Sequence, residues 1–168
     1  MSHHPPSHPS ALPGVAGAGA GRPRGVPPPP AAAGQGAAAP GKGTLRVLYI
    51  EDNPVNTLLM AAMFERLPGL ALECASDPRD GVAQALADPP ALLLVDIQMP
   101  DLDGFQVLRL LRADPATRAV PAIAVSANAM PQDLARGRAA GFADYLTKPF
   151  GMDRLQAALR DALPDWTG

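Results

Sequence analysis

Cysteine, histidine and long apolar runs are all scarce in this sequence. Its 168 residues include a single cysteine, Cys74, so no disulfide framework can form within the chain and no thiolate cluster can hold zinc. The three histidines, His3, His4 and His8, sit together near the start and read as solvated side chains of a low-complexity stretch rather than as a metal site. No run approaches the roughly 20 apolar residues that a membrane-spanning helix requires. The opening residues also lack the basic region and apolar stretch of a secretion signal. A reducing, cytoplasmic setting with no membrane contact is therefore expected.

Acidic residues are missing from residues 1–43, which are almost entirely Pro, Gly, Ala, Ser and His with Arg22, Arg24 and Lys42. Such a stretch cannot offset its ordering entropy by burial and reads as a disordered tail, partly polyproline-II around Pro27 to Pro30. Gly36 to Gly43 roughly matches the spacing of a phosphate loop, but Gly43 stands where Ser or Thr is required and no strand precedes it, so that reading is rejected. All 16 acidic residues lie in the remainder and outnumber its basic ones, a poor balance for gripping nucleic-acid phosphates directly. The folded unit is expected over residues 44–168, and the initial Met reads as the start of an independent protein.

From Thr44 onward, short aliphatic runs alternate with helical periodicity. Strands are predicted at Leu45 to Ile50, Leu70 to Ala75, Ala91 to Val95, Ala122 to Val125 and Ala143 to Leu146. Helices follow at Pro54 to Leu67, Pro78 to Ala87, Gly104 to Arg112, Pro131 to Ala140 and Met152 to Leu163. Asn53 and Asp103 are placed to cap the first and third of them. In the first, Val55, Leu58, Leu59, Ala62, Met63 and Leu67 recur as one apolar face. In the fourth, Met130, Leu134 and alanines are all that can face a core, with Arg136, Gly137 and Arg138 outward, so a soft element is expected. Continuous aliphatic strands imply a sheet covered on both faces, an α/β doubly wound parallel architecture. Trp166 reads as either a terminal packing residue or an exposed one.

In such a sheet, ligands bind outside the carboxyl ends of the strands, where the winding direction reverses. The polar residues at those ends are Glu51 and Asp52 after the first strand, Asp96 after the third, Ser126 after the fourth and Lys148 after the fifth. Three carboxylates at one rim repel each other and call for a hard divalent cation, for which Mg2+, keeping waters and a substrate phosphate, suits better than Ca2+. Lys148 and Ser126 supply the ammonium and hydroxyl that hold phosphoryl oxygens, and Asp96 can act as the nucleophile.

Four blocks carry a specific resemblance: Glu51-Asp52-Asn53-Pro54-Val55-Asn56, Asp96 through Gly104, Ser126-Ala127-Asn128-Ala129-Met130, and Asp144-Tyr145-Leu146-Thr147-Lys148-Pro149-Phe150. In order and on the right strand ends, they resemble the signature of response-regulator receiver domains, in wording most similar to receivers of hybrid sensor histidine kinases. The resemblance implies a five-stranded flavodoxin-like (βα)5 fold of strand order 2-1-3-4-5. It implies Asp96 as the phosphorylated aspartate, with Mg2+ held by Glu51, Asp52, Asp96 and the Gln98 carbonyl. It further implies Lys148 as the phosphate-binding lysine before a cis Pro149, Ser126 as a switch hydroxyl and Tyr145 as a switch aromatic. The partners implied are a histidine kinase or histidine phosphotransfer domain, a downstream protein, and a homodimer through the fourth helix, fifth strand and fifth helix.

Alone, Glu51 and Asp52 would pass as solvated strand ends, Asp96 as a turn cap and Tyr145 as an ordinary half-buried aromatic; only the joint pattern outweighs those readings. Three other functions compete with this one. A phosphate sink would dephosphorylate itself within seconds, with Asn53, Gln98 and Asn128 near the attacking water. An unphosphorylated adaptor would have no use for Asp96, Lys148 and both acids. An aspartate-nucleophile phosphatase needs a second Asp where Gln98 stands, so the chain is read as a phosphoacceptor, with autophosphatase activity at most, rather than an enzyme.

Overall fold

A computed structural model describes residues 43–128 and 130–168; the readings made for the tail ahead of Gly43 lie outside them. The elements are β1 (Leu45–Ile50), α1 (Pro54–Phe64), β2 (Leu70–Ala75), α2 (Pro78–Ala87), β3 (Leu92–Asp96), α3 (Gly104–Ala113), β4 (Ala122–Ser126), α4 (Pro131–Ala140), β5 (Asp144–Thr147) and α5 (Met152–Ala162). All strands pair in parallel in the order β2-β1-β3-β4-β5, as expected. The helix starts follow the local chemistry. Asn53 accepts from the Val55 N–H ahead of Pro54, and Asp103 forms a reciprocal capping box with Gln106.

Successive strand residues point to opposite faces, and both faces are buried. Val47, Tyr49, Leu92, Leu94, Ile123 and Val125 pack with Met60 and Phe64 of α1 and Leu155 and Leu159 of α5. Leu48, Ile50, Leu93, Val95 and Ala124 pack with Val82 and Ala85 of α2 and Val107, Leu108 and Leu111 of α3. A parallel sheet of this kind must be covered on both sides, so the continuous aliphatic strands follow directly.

Two helix faces differ from the sequence reading. Of the face expected on α1, Met63 packs against the core and Leu67, just past the helix, is buried, but Val55, Leu58 and Leu59 are 60%, 71% and 61% exposed and Met60 and Phe64 face the core in their place. Apolar residues run all round this helix, so periodicity alone could not choose the side that docks. On α4, Met130 is exposed and Gly137, expected outward, is the buried residue. A β-carbon at Gly137 would meet Tyr145 Cδ2 at 2.9 Å, so glycine is what lets α4 approach β5. Arg136 stays outward, but its guanidinium covers the Phe105 ring at 3.9 Å and ties α4 to α3. Trp166 is buried and its indole N–H donates to the Pro68 carbonyl at 2.8 Å, fastening the last turn to the loop before β2.

Candidate functional site

Strand order β2-β1-β3 means the chain winds away from β1 in both directions, leaving a crevice between the carboxyl ends of β1 and β3. Glu51 and Asp52 leave β1 at that crevice and Asp96 ends β3 beside them. One carboxylate oxygen from each of the three lies within 4.8 Å of the others, the only such acidic or His/Cys cluster among the described residues. Lys148, following β5, reaches into the group: its ammonium donates to Glu51 Oε2 at 2.7 Å and stands 3.5 Å from Asp96 Oδ2. The Lys148-Pro149 bond is cis.

Burial makes these charges interact strongly. Asp96 is 4% exposed, and burial, then the nearby Glu51 carboxylate, raise its pKa above the usual range even though Lys148 and the Gln98 N–H pull the other way. Glu51 is 0% exposed, and burial raises its pKa too. Hydrogen bonds from Lys148, Tyr49 and Asn56 outweigh that and hold it below the usual value. Asp52 is exposed at the mouth. The donor set is all oxygen and partly solvent-facing, with a carboxylate whose ionisation is opposed by its neighbours. That is the chemistry a hard divalent cation relieves, so the residues fit Mg2+.

Ser126 is buried at the end of β4, where its carbonyl accepts from the Lys148 N–H at 2.7 Å and its hydroxyl accepts from the Asn128 N–H at 3.1 Å. It shares a cavity of about 210 Å³ with Gln98, Phe105, Arg136 and the half-buried Tyr145. Tyr145 also lines a second cavity of about 290 Å³ against Leu134, Gly137 and Arg154. Gln98 is beside the cluster, its N–H donating to Asp96 Oδ1 at 3.3 Å. Glu51, Asp52, Asp96, Gln98, Ser126 and Lys148 thus lie together at the strand ends, whereas Tyr145, paired with Ala124, stands two residues back along β5. Asp103 is spent on the α3 cap, and Asp101 adopts a left-handed φ of 65° in the turn before it.

Two contributors went unnoticed in the sequence. The Tyr49 phenol donates to Glu51 Oε2 at 2.5 Å, and the Asn56 amide donates to Glu51 Oε1 at 3.0 Å. A phenol in a buried strand, two residues before an acid and so on the same side of the extended chain, was the signal available for Tyr49.

Residues 47–160 match the family model described as the response regulator receiver domain. Protein PilH of Pseudomonas aeruginosa is 36% identical over 118 residues, which span 70% of this chain and 97% of that protein. The signal transduction histidine-protein kinase BarA of Shigella flexneri is 37% identical over 118 residues, 70% of this chain but only 13% of the kinase. Among solved structures, a receiver domain of a Pseudomonas aeruginosa sensor histidine kinase superimposes with a TM-score of 0.66 at 36% identity. That match covers 72% of this chain and 98% of that one, and the solved domain has a magnesium ion coordinated in its active-site cleft.

Proposed function

The chain belongs to the response regulator receiver family, and from that premise we propose that it takes a phosphoryl group from a phosphohistidine onto Asp96, in a site that holds Mg2+, and signals through α4, β5 and α5. The carrying observation is the meeting of a buried carboxylate of raised pKa with two further acids and one ammonium at the switch point of the sheet. The relative whose structure contains magnesium in its cleft supports the choice of cation.

Glu51, Asp52, Asp96 and the Gln98 carbonyl are the groups that hold the cation, which when bound offsets carboxylate repulsion and the charge of the phosphoryl oxygens. An Asp96 oxygen attacks phosphorus, the P–N bond to the donor histidine breaks, and its electron pair leaves with the imidazole nitrogen. Lys148, a compact ammonium on a flexible stem, exchanges Glu51 for a phosphoryl oxygen. The Ser126 hydroxyl donates to another, and its displacement frees cavity space into which the Tyr145 ring turns. With Gly137 as its one buried residue, α4 is held loosely enough to follow.

The donor is a histidine kinase or histidine phosphotransfer domain, the recipient is a downstream protein, and a homodimer through α4, β5 and α5 is a further use of that face. The setting is the cytoplasm, without direct nucleic-acid or membrane contact; no described helix is long and apolar enough to cross a membrane. Incubation with a radiolabelled phosphohistidine protein tests this. Transfer of label that hydroxylamine then releases, as from an acyl phosphate, supports the reading, and a chain left unlabelled by every such donor contradicts it.

A further inference from the structure

Glu51 is the most fully engaged carboxylate at the rim. Its Oε2 accepts from the Tyr49 hydroxyl at 2.5 Å and from Lys148 at 2.7 Å, and its Oε1 accepts from Asn56 Nδ2 at 3.0 Å and the Asn53 N–H at 3.2 Å. Four donors fill the roughly four acceptor sites that a carboxylate offers. These donors differ in how firmly they are held. Lys148 is partly exposed on a flexible stem, whereas Tyr49 is 1% exposed and packed among Met60, Leu94 and Val125. Its hydroxyl donates to Glu51.

We propose that Tyr49 is a positioning residue of the acidic cluster: its buried phenol keeps Glu51 in place and hydrogen-bonded for the cation, both before and after Lys148 leaves for a phosphoryl oxygen. This rests on the function proposed above. Departure of Lys148 opens one acceptor site on Oε2, while Tyr49 and Asn56 retain their hold. Without the phenol, Oε2 has Lys148 as its only side-chain donor. The carboxylate then keeps Lys148, Asn56 and the Asn53 N–H but loses its most buried donor, and the ammonium is tied more closely to it. Outer groups that orient the ligands of a metal in this way typically matter by 10–100-fold in its affinity.

The test is Mg2+ binding by titration calorimetry on the full chain, paired with urea unfolding in EDTA. Tyr49→Phe keeps the ring and its packing, and is expected to weaken Mg2+ binding about tenfold, the lower end of that range. Asn56→Ala, at a half-exposed position on α1 that cannot threaten the core, is expected to weaken it in the same direction. Unchanged Mg2+ affinity in Tyr49→Phe overturns the proposal, and a urea midpoint that falls at the same time shows that the hydroxyl's bond to Glu51 serves stability alone. A wild-type chain that binds no Mg2+ overturns the proposed function and this inference together. Wild-type binding with an unaffected Tyr49→Phe variant overturns this inference only.

Discussion

Lys148 donates to Glu51 at 2.7 Å but stands 3.5 Å from Asp96, so its ammonium is bound to the neighbour of the candidate phosphate acceptor rather than to the acceptor itself. The contact joins two residues 97 positions apart and closes β5 onto β1. It also balances a carboxylate with no solvent exposure. Lys148→Met leaves Glu51 with three donors and no counter-charge, and Asp96 with less attraction. Breaking a fully buried pair costs about 3–5 kcal/mol; with Lys148 20% exposed, a loss of about 2 kcal/mol is expected in urea unfolding with EDTA present. Added Mg2+ is expected to restore part of it.

Asp96→Asn acts in the opposite direction. Asp96 has a raised pKa because burial and Glu51 both disfavour its charge, so the folded state binds its proton more tightly than the unfolded one. That group's contribution to stability is therefore most favourable at low pH and falls as pH rises from the unfolded value of about 3.9 through the raised folded value. Asn has no such dependence. In metal-free buffer the variant is expected to gain on the wild type as pH rises across that window, with a higher melting temperature at neutral pH. Mg2+ is expected to narrow the gap. Parallel melting curves from pH 4 upward check it, and a wild type more stable than the variant at neutral pH without metal contradicts it.

Gly137→Ala separates two effects of similar size. Alanine gains about 1 kcal/mol of helix propensity in α4. Its β-carbon, however, meets the Tyr145 ring at 2.9 and 3.2 Å, and overpacking of that kind costs roughly 1–3 kcal/mol. A net loss of about 1 kcal/mol is expected, together with displaced Tyr145 ring resonances in the NMR spectrum without any phosphodonor. Unmoved resonances and higher stability run against the close approach of α4 to β5.

Trp166→Ala removes a buried indole and its bond to the Pro68 carbonyl, both at the edge of the fold. Large-to-small substitution of Trp in a core costs about 3–5 kcal/mol, and the lower end is expected here. Because the indole lies against Gly69 and far along the sheet from the acidic rim, Mg2+ affinity is expected to stay within twofold of wild type.

The strands were legible because aliphatic runs and caps are local signals, whereas each acid at the rim was ambiguous alone and only the four blocks together pointed to a site. Leu92 to Val95 is an unbroken aliphatic run ending in an acid, and Pro54 and Gly104 each follow a capping side chain. Helix faces were harder. Val55, Leu58 and Leu59 look like a core stripe, yet Met60 and Phe64 are buried instead, because the angle at which α1 meets the sheet is fixed by packing partners distant in sequence. Gly137 was misread for a related reason. A residue without a side chain carries no periodic signal, and its burial depends on where the Tyr145 ring sits. Tyr49 was passed over because a tyrosine in a buried strand suggests packing, while its hydroxyl contact appears only once Glu51 folds back over the strand end.

The most direct measurement is the intact mass of the chain after incubation with acetyl phosphate, with Mg2+ or EDTA, for the wild type and Asp96→Asn. One added phosphoryl group on the wild type, present with Mg2+ and lost with EDTA or in the variant, is the expected result. An unmodified wild type with Mg2+ present, or equal modification of the variant, contradicts Asp96 as the acceptor.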